Sequence, residues 1–259
     1  MNKSAVWPGC DGFEFLNQSK VLVLMIHGFT STPQTMRGLG LFIADSLKFD
    51  VIGLRLPGHA TNIEDLRHVH AQDYLDFVSL EYERVQDKYE CIHVVGLSFG
   101  GMLSQYLAQR YDIQSLTLLA PFYEATEAFQ WGLPKTLLIS IFNQIHLDVQ
   151  KSHPSIFNQE AQKKHQTYET YPVDALEEFF ECIKVCKKNV EKITCPIQII
   201  HGLHDSTSGY AGSEQMMRRV SSSKSQLICL KNSDHIITED NDKEYVFDCC
   251  LNWLLQNQK

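Results

Sequence analysis

The sequence predicts an α/β fold: a mainly parallel central sheet with helices on both faces, interrupted by a small helical cap insertion. Three observations predict it. Short, continuously apolar runs alternate with longer amphipathic stretches, as strands buried between covering helices require. The alternation breaks once, between residues 121 and about 190, and resumes after residue 195. The chain of 259 residues is 44% hydrophobic and 21% charged, which suits one sizeable core of ordinary globular composition.

The elements follow in order. Phe13 to Leu16 alternates weakly and is a candidate edge strand. Val21 to Ile26 is an unbroken apolar run and reads as a strand buried on both faces. Residues 33–48 read as a helix, with Thr32 as N-cap and Pro33 in the first turn. Met36, Leu39, Phe42, Ile43 and Leu47 then share one face. Strands are expected at 50–54, 91–95 and 115–119, and helices at 71–88 and 100–111. Beyond residue 195 come strands at 197–201 and 225–230 and helices near 210–220 and 242–256. The irregular stretch holds helical-looking segments at 134–146 and 173–190 and no convincing strand. The core is therefore expected at 1–120 and 173–259, with residues 121–172 as the cap.

Charge and composition exclude several classes. The formal net charge is −8 and no basic stripe is present, which argues against nucleic-acid binding and tight docking on anionic membranes. The longest early apolar run has six residues, too short for a bilayer. The first residues, MNKSAVWPGC, lack the apolar stretch and cleavage site of a secretory signal, so a cytoplasmic protein is expected. Eight cysteines are scattered without a Cys-x-x-Cys pair or a histidine to complete a zinc set. They are expected to be buried free thiols, with no metal site.

One glycine-rich turn carries chemistry. Gly96-Leu97-Ser98-Phe99-Gly100-Gly101 follows a strand and opens a helix. A serine at such a turn sits in strained backbone with its hydroxyl raised at the sheet edge, as a nucleophile must. Serine needs a base, and in this arrangement the acid and then the histidine follow in the chain. His235 lies five residues after the last strand, in a loop at the carboxyl edge of the sheet. Of the other histidines, His93 lies within a strand and His201 at the end of one. His68, His146, His153 and His165 fall outside the expected edge. Asp205 ends the preceding strand and is the expected acid. Asp234 adjoins His235 and is badly placed to orient it, while Asp240 is a supporting candidate.

The tetrahedral oxyanion needs donors already in place. The backbone N–H of Phe99, next to the nucleophile, is one. The N–H of Phe29, after the first strong strand and beside Gly28, is the other. His27 is expected to brace that loop, and Leu56-Pro57-Gly58-His59 to give the edge shape rather than chemistry. No phosphate-binding loop or dinucleotide fingerprint is present.

Taken together, His27-Gly28-Phe29-Thr30-Ser31-Thr32-Pro33, Leu56-Pro57-Gly58-His59, the Ser98 turn, and Ser233-Asp234-His235-Ile236-Ile237 with Asp240 resemble bacterial carboxylesterases and monoacylglycerol lipases of the α/β-hydrolase superfamily. The resemblance implies acyl transfer through an acyl-serine, a small ester or monoacylglycerol substrate, and no cofactor or metal. Two departures stand out. Gly58-His59-Ala60 replaces the Gly-His-Gly common in that group, and Ser206-Thr207-Ser208-Gly209 follows the acid where a hydrophobic residue and proline are common. Carboxylesterase activity on short- to medium-chain esters is the leading expectation. Monoacylglycerol lipase or lysophospholipase activity is the near alternative. A non-catalytic binding protein and a haloperoxidase-like or C–C hydrolase are less favoured. Phe122, Phe129, Trp131, Leu133, Leu137, Leu138, Ile141 and Phe142 suit either an acyl tunnel or a packed cap.

Overall fold

The computed structural model describes residues 4–126, 148–151 and 155–258. Its centre is a seven-stranded sheet built from β1 (Phe13–Phe15), β2 (Val21–Ile26), β3 (Asp50–Leu54), β4 (Cys91–Leu97), β5 (Ser115–Leu119), β8 (Ile197–Gly202) and β9 (Ser225–Leu230). The spatial order is β1-β3-β2-β4-β5-β8-β9. Only β1 runs antiparallel, against β3 at the edge; all other pairs are parallel. The central pair β2–β4 is in register from Val21 opposite Cys91 to Ile26 opposite Gly96.

The period of two along β2 divides the core. Leu22, Leu24 and Ile26 join one apolar cluster, and Val23 and Met25 join another. The first cluster is covered by α3 (Ala71–Gln86), α4 (Phe99–Ala108) and the helix Val173–Cys186. The second is covered by α1 (Gln34–Leu47) and the C-terminal helix Lys243–Gln256. Helices thus lie on both faces, as the alternation requires. In α1, Met36, Leu39 and Ile43 are fully buried, and the Thr32 hydroxyl accepts the Gln34 N–H at 3.3 Å.

Four short elements, at 63–67, 148–150, 159–164 and 170–172, were not legible in the sequence. A short helix, α2 (Ile63–Arg67), begins at Asn62, whose side chain accepts the Glu64 N–H. It is a single turn with two apolar residues, too short to show a period. The irregular stretch, expected to hold no strand, contains β6 (Asp148–Gln150) and β7 (Thr170–Pro172), paired antiparallel. Each strand has three residues and only Pro172 is buried, so neither leaves an apolar signature. The remaining helices are α5 (Gln159–Lys164), α6 (Val173–Cys186), α7 (Tyr210–Met217) and α8 (Lys243–Gln256). Arg67 of α2 ties this region together, bonding both Asp174 of α6, at 2.9 Å, and Asp148 of β6. The expected helix at 134–146, and Phe129 through Phe142 of the cap, lie outside the described residues; Phe122 is buried.

All eight cysteines are free. Five are buried as expected; Cys195 and Cys249 are half-buried, and Cys229 on the edge strand β9 is exposed. Among the described residues no helix is long and apolar enough to cross a membrane.

Candidate active site

β4 ends at Leu97 and α4 begins at Phe99, leaving Ser98 alone at the turn with φ +56° and ψ −116°. A non-glycine residue there is strained by about 1–3 kcal/mol and must be held. Three backbone bonds hold it. The Ser98 N–H donates to Leu119 O at 2.8 Å, and Ser98 O accepts from Met102 and Phe122. The flanking glycines allow the approach this needs. A β-carbon at Gly100 would overlap the Ile26 carbonyl oxygen, and one at Gly96 would overlap the Gly100 carbonyl.

His235 stands next to Ser98. The Ser98 Oγ lies 2.7 Å from His235 Nε2, and His235 Nδ1 lies 2.7 Å from Asp205 Oδ2. Burial raises the Asp205 pKa, but its electrostatic attraction to the His235 imidazole and the hydrogen bonds from His201 and His235 outweigh it. The carboxyl is thus held well below its ordinary range. An ionised carboxylate only accepts, so His235 Nδ1 carries the proton and Nε2 accepts the Ser98 hydroxyl. The residues after the acid complete its shell: Thr207 and Ser208 N–H each donate to Asp205 Oδ1 at 2.8 Å.

The acid has a second imidazole, which sequence reasoning treated only as a competitor of His235. His201, at the end of β8, donates from Nε2 to Asp205 Oδ2 at 2.9 Å and to Ser208 O at 3.0 Å. Its Nδ1 accepts the Ser213 hydroxyl at 2.6 Å. Asp234 holds the acid loop instead of orienting His235. Its carboxylate accepts the Ser206 N–H at 2.7 Å and the Ser206 hydroxyl. Asp240 accepts the N–H groups of Asp234, Phe157 and Asn158, joining the histidine loop to the inserted segment.

The loop after β2 passes directly over the serine: a β-carbon on Gly28 would lie 3.3 Å from Ser98 Cβ. Among the described residues, neither the Phe29 nor the Phe99 backbone N–H has an acceptor. Both side chains pack on Phe179 of α6, with ring centroids 4.7 and 5.1 Å away. Two buried histidines brace the loop. His27 Nε2 accepts the Leu56 N–H at 3.1 Å, and His59 Nε2 accepts the Thr30 N–H at 2.9 Å. Their Nδ1 atoms donate to Gly28 O and Pro57 O. Burial pushes the pKa of His27 down to about 4 and that of His59 well below the usual range, so both are neutral. The turn Leu56-Pro57-Gly58-His59 therefore does more than give shape. Ala60, where glycine is common, takes φ +58°.

A cavity opens onto Ser98 and His235. One part of its wall is aromatic, from Phe29, Phe122 and Phe179; another is polar, from Thr30, Ser31, Lys151, Ser155, His165, Thr167 and Thr207. His165 was expected away from the sheet edge, but the chain after α5 returns it there, 2.7 Å from Glu239. Lys151 and Tyr171 also reach the cavity from the paired strands of the insertion, where no motif marked them. The only signal was the single basic residue following a stretch too short to read.

Comparison with known proteins identifies the family. The family model described as serine aminopeptidase, S33, matches residues 17–242. The chain is 28% identical over 262 residues to a thermostable monoacylglycerol lipase of Bacillus sp. (strain H-257), covering 98% of this chain and 99% of that one. It is 24% identical over 226 residues to a carboxylesterase of Bacillus subtilis (strain 168), covering 86% and 88%. A solved structure from work on the metagenome-derived lipolytic enzymes LipS and LipT superposes with a TM-score of 0.88 at 22% identity, over 97% of this chain and 100% of that one. Seven strands in this order, helices on both faces and a match over residues 17–242 together make the chain a member of the serine aminopeptidase S33 family, a serine hydrolase on the α/β-hydrolase fold.

Proposed function

We propose that the protein is a carboxylic ester hydrolase that cleaves short- to medium-chain acyl esters, with Ser98 as nucleophile, His235 as base and Asp205 as the acid that orients it. One observation carries the reading. An unbroken hydrogen-bond chain runs from Asp205 through His235 to Ser98, each link 2.7 Å, and the Phe29 and Phe99 backbone N–H groups have no acceptor among the described residues.

His235 takes the Ser98 proton as Oγ attacks the ester carbonyl. The carbonyl oxygen gains the negative charge and is held by the Phe29 and Phe99 N–H groups. The ester C–O bond then breaks, and the alcohol leaves with the proton from His235. Water gives a proton to His235 and attacks the acyl-serine, releasing the acid and restoring Ser98. Asp205 keeps Nδ1 protonated throughout and stabilises the imidazolium between steps. We read residues 121–172 as a cap insertion because their described residues Phe122, Lys151, Ser155, His165, Thr167 and Tyr171 line the cavity; eight free cysteines fit a reducing, cytoplasmic location.

Monoacylglycerol lipase activity is the second reading, favoured by the hydroxyl-rich wall of Thr30, Ser31, Ser155, Thr167 and Thr207, which suits a polyol alcohol. Aminopeptidase activity, which the family description evokes, is disfavoured: the described cavity lining offers a lysine and no carboxylate to receive a substrate ammonium group. The test is a panel of p-nitrophenyl esters with acyl chains of two to sixteen carbons, monoacylglycerols of the same lengths, and aminoacyl nitroanilides. Ester turnover with a short- to medium-chain optimum is expected. Higher kcat/KM on monoacylglycerols selects the second reading. Nitroanilide cleavage without ester cleavage overturns both.

A further inference from the structure

Lys151 is a cation that the hydrolytic mechanism does not use. It follows β6 and lines the cavity that holds Ser98 and His235. Its Nζ donates to Thr30 Oγ1 at 2.7 Å and Thr167 Oγ1 at 2.6 Å, and lies 4.9 Å from the Tyr171 ring centroid. Among the described residues no carboxylate pairs with it. An ammonium has three donors, and two are taken, which leaves one for the cavity.

The surroundings make this arrangement unfavourable without a ligand. Burial pushes the lysine pKa down to about 7. The titratable neighbours supply no counter-charge: burial leaves His59 neutral, and it pushes the Tyr171 phenol up to about 12. His165 and His235 line the same cavity, and neither is an anion. A buried cation kept without a counter-charge is destabilising, and an anion bound in the cavity would offset that cost. Phe122 and Phe179 line the cavity beside this polar wall. The cavity therefore offers an apolar surface and a charged, hydroxyl-lined one around a single nucleophile.

We propose that Lys151 is an anion-recognition residue: the preferred substrate is an acyl ester whose alcohol carries a phosphate or carboxylate, held by the Lys151 ammonium while the acyl chain lies against Phe122 and Phe179. The proposal rests on the ester-hydrolase reading and names its substrate class. The reaction is unchanged; the alcohol that takes the proton from His235 is the one bearing the anion.

The experiment measures kcat/KM for release of decanoic acid from 1-decanoylglycerol, 1-decanoylglycerol-3-phosphate and O-decanoyl lactate, with the wild type, Lys151→Met and Lys151→Arg. At pH 6.5 the wild type is expected to prefer at least one anionic ester by about 10- to 100-fold, the value of a hydrogen-bonded charge. The phosphate and lactate arms show which anion is meant. Lys151→Met is expected to collapse the anionic-to-neutral ratio by a similar factor, chiefly through KM, and to raise Tm by removing the unpaired ammonium. Lys151→Arg is expected to restore the ratio in part. The preference should fade from pH 6 to 8.5 as the lysine deprotonates. A wild type that favours the neutral ester overturns the proposal. So does equal loss on all three esters in Lys151→Met, which assigns the lysine to bracing Thr30. A wild type inactive on every ester and unlabelled by a fluorophosphonate overturns the ester-hydrolase reading itself.

Discussion

Asp205 is the residue on which the site's electrostatics converge. It accepts from His235, from His201 and from two backbone N–H groups, and is fully enclosed. Replacing it with Asn presents an N–H where His235 needs an acceptor, which forces the imidazole into the wrong tautomer. Asp205→Asn is expected to lower kcat by about 10⁴-fold with little change in KM. A loss under tenfold in steady-state turnover would place the orienting acid elsewhere. At this scale the sequence was legible where a residue announces itself through local context. Ser98 sits between required glycines, and Asp205 and His235 follow strand ends. Lys151, His165 and His201 were not legible in those roles. Their partners, Thr167, Glu239 and Asp205, are met only after the chain folds.

Two elements set the geometry around Ser98. The turn between β4 and α4 depends on the close passage of Gly100 beneath the end of β2. Gly100→Ala must separate them, and a loss of about 3 kcal/mol is expected by chemical denaturation. α6 supplies Phe179, on which the side chains of both Phe29 and Phe99 rest. Phe179→Ala is expected to destabilise by about 3–5 kcal/mol. At a temperature where the variant remains folded, kcat should also fall, because both proposed oxyanion donors lose their support. Unchanged kcat in the folded variant would separate the ring from catalysis. The long elements were readable because burial leaves a signature: an unbroken apolar run along β2, which is buried on both faces, and a period of 3.6 along α1 and α6. The pair β6–β7 has three residues per strand and faces partly outward, so burial imposes no pattern. It is nevertheless what brings Lys151 and Tyr171 to the cavity.

Across the whole molecule, three buried histidines tie stability to pH. Burial pushes His27 and His93 down to about 4 and His59 well below its usual range. A histidine whose folded pKa is depressed binds protons more readily in the unfolded chain. Its contribution is therefore complete above about pH 6.5 and is lost as pH falls toward the folded value. His27 and His93 each account for about 2 kcal/mol of loss by pH 5. Asp205, also depressed, adds a further loss below about pH 4. Tm is expected to fall by at least about 5 °C from pH 7 to pH 5. A constant Tm over that interval would mean that His27 and His59, which brace the loop after β2, are not buried and neutral.

The central claim, that Ser98 is a nucleophile activated through His235, is tested most directly by covalent capture. The wild type and the Ser98→Ala and His235→Ala variants are exposed to a fluorophosphonate and examined by peptide mass spectrometry. A single adduct on Ser98 is predicted, absent in Ser98→Ala and formed far more slowly in His235→Ala. A folded wild type that stays unmodified, or carries its adduct on another residue, would contradict the account.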